Sequence, residues 1–174
     1  MISQNSSNTK IGRPVAKWLR PAQRALHALR FCSLRLKARG ALSAKSSPIT
    51  AKGVRILPSA RVSLGARVAL GRNMYVETDL VVGDDVLFSG NVAVVGNIHP
   101  LDTVGTVFAS VHGLPQTVTL DGDNLVGYGA ILIGPCHLKR GAVIGAGAVA
   151  TGTFDEDTIY VGVPARPLRL RQRI

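Results

Sequence analysis

Four histidines, His27, His99, His112 and His137, are the side chains whose ordinary pKa lies nearest neutrality. An imidazole can take a proton from a weakly acidic group at neutral pH if its neighbours hold the ring. His99 and His112 share a stretch punctuated by Pro100, Gly105, Gly113 and Pro115, the residue types of an irregular loop. Asn97 precedes His99 by two positions and could orient its ring, although a turn-forming asparagine fits equally well. Asp102 follows by three and is open to the same two readings. His27 lies in a basic segment and His137 on a coil corner, and neither is given a role. Cys32 and Cys136 do not make a disulfide framework, and a reducing compartment suits them. Cys136 reads as a small buried apolar residue.

The elements that must position these groups show a period of six. Pro58, Leu64, Leu70, Val76, Val82, Phe88 and Val94 form one column, and Val62, Val68, Met74, Leu80, Val86, Val92 and Ile98 form a second. Helices repeat at 3.6 and simple strands at 2, so neither gives this pattern. A hexapeptide repeat does. Each six-residue unit makes one flat side of a triangular coil of about 18 residues, and stacked coils bury an apolar column. Gly65, Gly71 and Gly83 follow leading apolar residues, where a tight turn with positive φ is expected.

The column breaks after Ile98 and resumes as Leu120, Val126, Leu132, Leu138, Ile144 and Ala150. Its companion is then Asn124, Ala130, Cys136, Ala142, Ala148 and Phe154. Residues 99–119 are therefore an inserted loop, and long excursions from a rigid scaffold commonly carry function. The fold class expected is all-β: a parallel β-helix with an N-terminal helical segment and one long insertion. Residues 1–55 read as a basic, partly helical segment and linker, and 56–174 as the β-helix domain.

The formal charge of +11 is unevenly placed. Residues 1–76 hold fifteen of the 21 Lys and Arg and no acid; the first carboxylate is Glu77. A helix is expected from about Pro14 or Pro21 to Arg39, ended by Gly40. Its modest apolar stripe is Ala22, Ala25, Leu26, Leu29, Cys32, Ser33 and Leu36, surrounded by arginines. Three readings stay open: a cap on the end of the β-helix, an interfacial helix on an anionic membrane with Trp18 as anchor, and a cleaved targeting segment. No aromatic interleaving or motif supports nucleic-acid binding. No apolar run approaches the length of a membrane span.

His99-Pro100-Leu101-Asp102 at the mouth of a loop is followed by Val126-Gly127-Tyr128-Gly129-Ala130. Then come Ile144-Gly145-Ala146-Gly147-Ala148-Val149 and Gly162-Val163-Pro164-Ala165-Arg166. In this order the set resembles the hexapeptide-repeat O-acetyltransferases, the galactoside and maltose enzymes and their relatives in exopolysaccharide and lipopolysaccharide biosynthesis. The resemblance covers roughly residues 58–169 and implies a left-handed β-helix. It also implies direct acetyl transfer from acetyl-CoA to a sugar hydroxyl or glycolipid, with His99 as general base, His112 of the same loop as the rival candidate, and no metal. Implied acetyl-CoA contacts are Tyr128, Ala146, Thr151, Arg166 and Arg169. A homotrimer with intersubunit sites follows from the same resemblance. A cytoplasmic location is the expectation that suits the two cysteines, and peripheral contact at the inner membrane face is what the membrane reading of the basic helix implies.

There are departures. Many relatives carry Thr-Lys where this chain has Thr151-Gly152, and Trp-Ile-Gly where it has Leu125-Val126-Gly127. The acceptor contacts of the galactoside enzymes have only Glu77 and Asp79 as distant candidates. Other readings in the same fold are a small acceptor (an antibiotic, serine or amino sugar) and a non-catalytic scaffold. The β-helical carbonic anhydrases need three zinc-binding histidines, and the spacings among His99, His112 and His137 lack their closely spaced pair.

Overall fold

A computed structural model describes residues 20–39, 41–96, 106 and 116–173. The described residues form a left-handed parallel β-helix of about six turns preceded by one helix. Three walls stack side by side. The first holds β1 (Leu42–Ala44), β4 (Val62–Leu64), β7 (Leu80–Asp84), β10 (Val118–Gly122) and the later parts of β12 (Ile131–Leu138) and β14 (Val149–Phe154). The second holds β2 (Ile49–Thr50), β5 (Ala69–Leu70), β8 (Leu87–Phe88), β11 (Leu125–Val126), β13 (Val143–Ile144) and β15 (Thr158–Val161). The third holds β3 (Arg55–Ile56), β6 (Tyr75–Val76), β9 (Ala93–Val95) and the opening parts of β12 and β14.

Both sequence columns point inward as the period of six requires. Leu64, Leu70, Val76, Val82, Phe88 and Val94 are all buried, as are Val62, Val68, Met74, Leu80, Val86 and Val92. Burying each such side chain contributes roughly 1.5–3 kcal/mol relative to exposure. Asn124 is the polar member of the corner column, and it is satisfied. Its oxygen accepts from the Gly122 N–H at 2.9 Å, and its amide donates to the carbonyls of Lys139 at 2.8 Å and Ala142 at 3.0 Å.

Several expectations are corrected. Pro58 is exposed, and Ile56 takes the leading inward position. Leu42 to Ile56, expected as linker, form a complete first coil, because β1, β2 and β3 pair with β4, β5 and β6. That coil advances by 20 residues, Leu42 to Val62, instead of 18, so a count in sixes stops at its edge. Val118 and Thr119, expected in the insertion, belong to β10.

Gly65, Gly71 and Gly83 do not carry the positive φ. That conformation falls mainly in two corner columns: Gly53, Asn73, Asn91, Gly129 and Gly147, and Arg67, Asp85, Asp123, Gly141 and Asp157. Asn, Asp and Gly tolerate the left-handed region best. The three glycines are needed for close approach instead, since a Cβ on each would overlap the backbone of Gly83, Ser89 and Asp121 in the next coil.

The helix α1 (Arg20–Lys37) lies over the first coil. It ends in a turn with Arg39 at φ 48, so Arg39 takes the left-handed position expected of Gly40. Its packed face is His27, Phe31, Leu34 and Ala38, and not the apolar stripe read from sequence. His27 Nδ1 lies 2.8 Å from the Thr50 carbonyl and donates to it. Leu26, Leu29 and Leu36 are 46%, 68% and 80% exposed. The spacing of the two faces is alike, and only the docked coil distinguishes them.

At the other end β16 (Arg166–Leu170) turns back antiparallel on β15. Phe154 and Tyr160 meet edge to face with centroids 4.8 Å apart. Arg171 and Arg173 pair with Asp123, and Arg173 also with Asp157, which ties the tail to two corner residues.

Candidate functional site

The insertion leaves and rejoins the β-helix at one corner. The register from Ala93 to Ile131 advances 38 residues where Tyr75 to Ala93 takes 18, so 20 residues are inserted between the third and first walls. Apart from Thr106, the described chain stops at Gly96 and resumes at Gln116. Gln116 is held there by the hydroxyl of buried Thr78, which donates to its carbonyl at 2.6 Å. A Cβ on Gly134 would overlap the Gln116 carbonyl, and one on Gly96 would press on both Gln116 and Thr78. The two ends are thus clasped between the coils below and above. Asn97, His99, Asp102 and His112 lie outside the described residues.

The other candidates gather around the third wall. Tyr128 and Ala146 sit one above the other at its leading corner, where the Gly147 N–H donates to the Tyr128 carbonyl at 2.8 Å. Tyr128 is 60% exposed, and its hydroxyl accepts a short hydrogen bond from the Asn91 side-chain amide. Thr151 lies at the trailing corner, in the column Val95, Ile133, Thr151. That column begins one residue before Gly96, where the insertion departs. Arg166 pairs opposite Val161 beside the leading corner, and the neighbouring Ala165 N–H donates to the Val149 carbonyl at 2.8 Å. Arg169 stands apart, opposite Ile159 on the second wall, with its guanidinium on the Leu170 carbonyl.

Between these corners the outer surface of the third wall carries Ala93, Val95, Ile131, Ile133 and Val149, all half-buried. It is apolar and edged by Tyr128, Ala146, Thr151 and Arg166. An extended ligand arm fits such a surface, with small side chains leaving backbone groups in reach. Among the described residues no group of three His, Cys, Asp or Glu is placed to hold a metal ion.

The Thr151-Gly152 departure has a structural cause. β12 carries Gly134 and Pro135 as a bulge between Ile133 and Cys136, whereas β14 pairs Thr151 with Ile133 and Gly152 with Cys136. The last coil therefore turns this corner with two fewer residues, and Gly152 meets the tighter bend with φ 86. A lysine there would carry a Cβ in the left-handed region.

Three groupings were not read from the sequence. Asn91 supports Tyr128; the signal was its place in a corner column with Asn73. Tyr75 donates to Glu77 at 3.3 Å on the third wall, and desolvation, then the Glu77 charge, raises the tyrosine pKa. Glu77 lies one coil below Val95, near the departing insertion. His137 is on the first wall and not at a corner, with Nε2 2.9 Å from Asp121 Oδ1, and both side chains are well exposed. Asp79 accepts from the Arg61 N–H at 2.8 Å, which accounts for it as a link between coils.

No protein-family model matches the chain. A Schizosaccharomyces pombe protein named as a candidate acetyltransferase is 39% identical over 72 residues, 41% of this chain and 33% of that one. The match thus spans about a third of the length of that relative. Among solved structures, a maltose O-acetyltransferase from Clostridium difficile 630 superposes with TM-score 0.68 at 18% identity, covering 88% of this chain and 87% of that one. AntD, an N-acyltransferase from Bacillus cereus, solved as a serine-to-alanine mutant with dTDP-4-amino-4,6-dideoxyglucose and coenzyme A, gives TM-score 0.65 at 18% identity, covering 77% and 75%. The β-helix fold is shared with these acyltransferases.

Proposed function

We propose that the chain is an acetyl-CoA-dependent O-acetyltransferase acting on a sugar hydroxyl, in the synthesis of a surface polysaccharide or lipopolysaccharide. One observation carries this reading. Tyr128, Ala146, Thr151 and Arg166 edge a single apolar wall, and the chain bearing His99 departs from that wall's far corner at Gly96. The pantetheine arm lies along Ala93, Ile131 and Val149. Arg166 meets a CoA phosphate, for which a guanidinium gives charge-assisted hydrogen bonds.

His99 accepts the proton of the acceptor hydroxyl as that oxygen attacks the thioester carbonyl. The C–S bond breaks and the CoA thiol leaves. Asn97 or Asp102 orients the imidazole, and Glu77 lies within the acceptor's approach. The fold similarity to a maltose O-acetyltransferase supports a sugar acceptor, and the AntD complex supports a nucleotide-linked one.

The second wall supports a homotrimer. Its outward column is Ile49, Ala69, Leu87, Leu125, Val143 and Ile159, with Ile49 58%, Leu87 45% and Leu125 36% exposed. A ladder of that kind calls for cover by neighbouring copies. No helix among the described residues is long and apolar enough to cross a membrane.

The test is acetyl-CoA binding by calorimetry, followed by transfer to a panel of sugar and aminosugar acceptors. Micromolar binding is expected. Arg166→Ala should weaken it about tenfold, the equivalent of about 1.4 kcal/mol. His99→Ala should keep that affinity and lose transfer. No binding at millimolar acetyl-CoA, or full transfer by His99→Ala, overturns the reading. Transfer to amines only would move the acceptor class from hydroxyl to amine.

A further inference from the structure

We propose that the outer face of α1 docks on an anionic lipid bilayer. The helix has two apolar faces. One, His27, Phe31, Leu34 and Ala38, is packed on the first coil. The other, Leu26, Leu29, Cys32 and Leu36, is exposed. At about 100° per residue Leu29 and Leu36 point roughly opposite to Leu34 and Ala38. The outer stripe is therefore turned away from the β-helix and presented as its end surface.

The charges are arranged for the same partner. Residues 20–39 hold six Arg and Lys and no acid. On the helix circumference Arg30 and Lys37 fall on one flank of the stripe and Arg24 and Arg35 on the other. Arg30 and Lys37, with Lys52 and Arg55, line a groove of about 480 Å³ between the helix and the first coil. Arg20 and Arg24 line a second groove, of about 550 Å³, on the opposite side. Among the described residues no carboxylate lines either groove.

An apolar ridge between two cationic margins matches a helix lying in the plane of a membrane. Leucines enter the acyl boundary, and long basic side chains reach phosphate headgroups. A second copy of the helix suits the face less well. Ala22, Ala25, Leu29, Cys32 and Leu36 have heptad spacing, yet pairing would set cations beside cations with no acid before Glu77 to offset them. The proposal is independent of acyl transfer. It identifies a surface that would hold the third-wall site near lipid-borne acceptors.

The test is co-sedimentation of the full chain with phosphatidylcholine vesicles containing about one-third phosphatidylglycerol, beside vesicles of phosphatidylcholine only. Anionic vesicles should bind at least tenfold more tightly, and added salt should weaken the binding. Leu29→Asp with Leu36→Asp should lose that binding while keeping the thermal midpoint and acetyl-CoA affinity, since both side chains are exposed. The milder pair Leu29→Ala and Leu36→Ala should give an intermediate loss. Equal binding by wild type and the aspartate pair overturns the proposal, as does equal binding to both vesicle types. If sedimentation equilibrium shows self-association that the aspartate pair abolishes, without lipid binding, the face belongs to a second copy. Loss of lipid binding with intact acetyl-CoA binding separates this proposal from the acyltransferase reading.

Discussion

Replacing Asn124 by alanine tests how the β-helix tolerates a polar group in its core. The side chain is 2% exposed and spans three backbone groups of two coils. Its loss strands the Gly122 N–H. The Ala142 carbonyl keeps its place in the ladder, where the pairing of Leu125 with Val143 sets it against the Leu125 N–H. The Lys139 carbonyl keeps a bond from the Ala142 N–H at 3.1 Å. A buried backbone group left without a partner costs about 1–3 kcal/mol, so the Gly122 N–H implies about 2 kcal/mol. That is a large share of the 5–15 kcal/mol typical of a folded domain.

Urea unfolding followed by circular dichroism reads the difference, at one protein concentration so that association does not enter. With an m value of about 2 kcal/mol/M the midpoint should fall by about 1 M. Asn124→Leu should fare no better, because filling the volume leaves the same N–H unpaired. Asn124→Asp should be worse, since a carboxylate would face the Lys139 and Ala142 carbonyls. A shift below about 0.5 M for all three would refute the reasoning, because it would mean that water or backbone movement satisfies this group.

The remaining predictions concern titrating groups. Burial pushes the Cys136 thiol up to about 12, so it stays protonated at neutral pH. Cys32 is exposed, and an aromatic disulfide reagent at pH 8 should therefore label one thiol per native chain quickly and the second only on unfolding. Because the folded Cys136 pKa lies above its ordinary value of 9.0, its contribution is complete below pH 9 and lost as pH rises toward 12, which a thermal-midpoint series checks. Asp84, Asp85 and Asp157 are held below 3.8, mainly by the Ala66 N–H, Arg67 and Arg173 respectively. Lowered carboxylate pKa values add stability that is present above pH 3.8 and lost as pH falls through the folded values. Arg173→Gln should accordingly flatten the acid limb of the stability curve.

The period of six, by itself, determined that this chain forms stacked coils with Leu64 to Val94 and Leu120 to Ala150 inside. It could do so because burial repeats with the backbone geometry of each flat side. It also determined that the coils are interrupted after Val94, since an insertion shows as a loss of register, although Val118 and Thr119 rejoin the coils earlier than the column showed. Three features were decided by tertiary structure. The buried face of α1 was one: its two apolar stripes differ little in composition, and contact with Thr50 and the first coil selected His27, Phe31 and Leu34. The role of Gly65, Gly71 and Gly83 was another, because backbone proximity between coils is invisible to a rule about turns. The last was the grouping of Tyr128, Ala146, Thr151 and Arg166. These residues are separated along the chain and meet because coils of 18 and 16 residues return each of them to one wall.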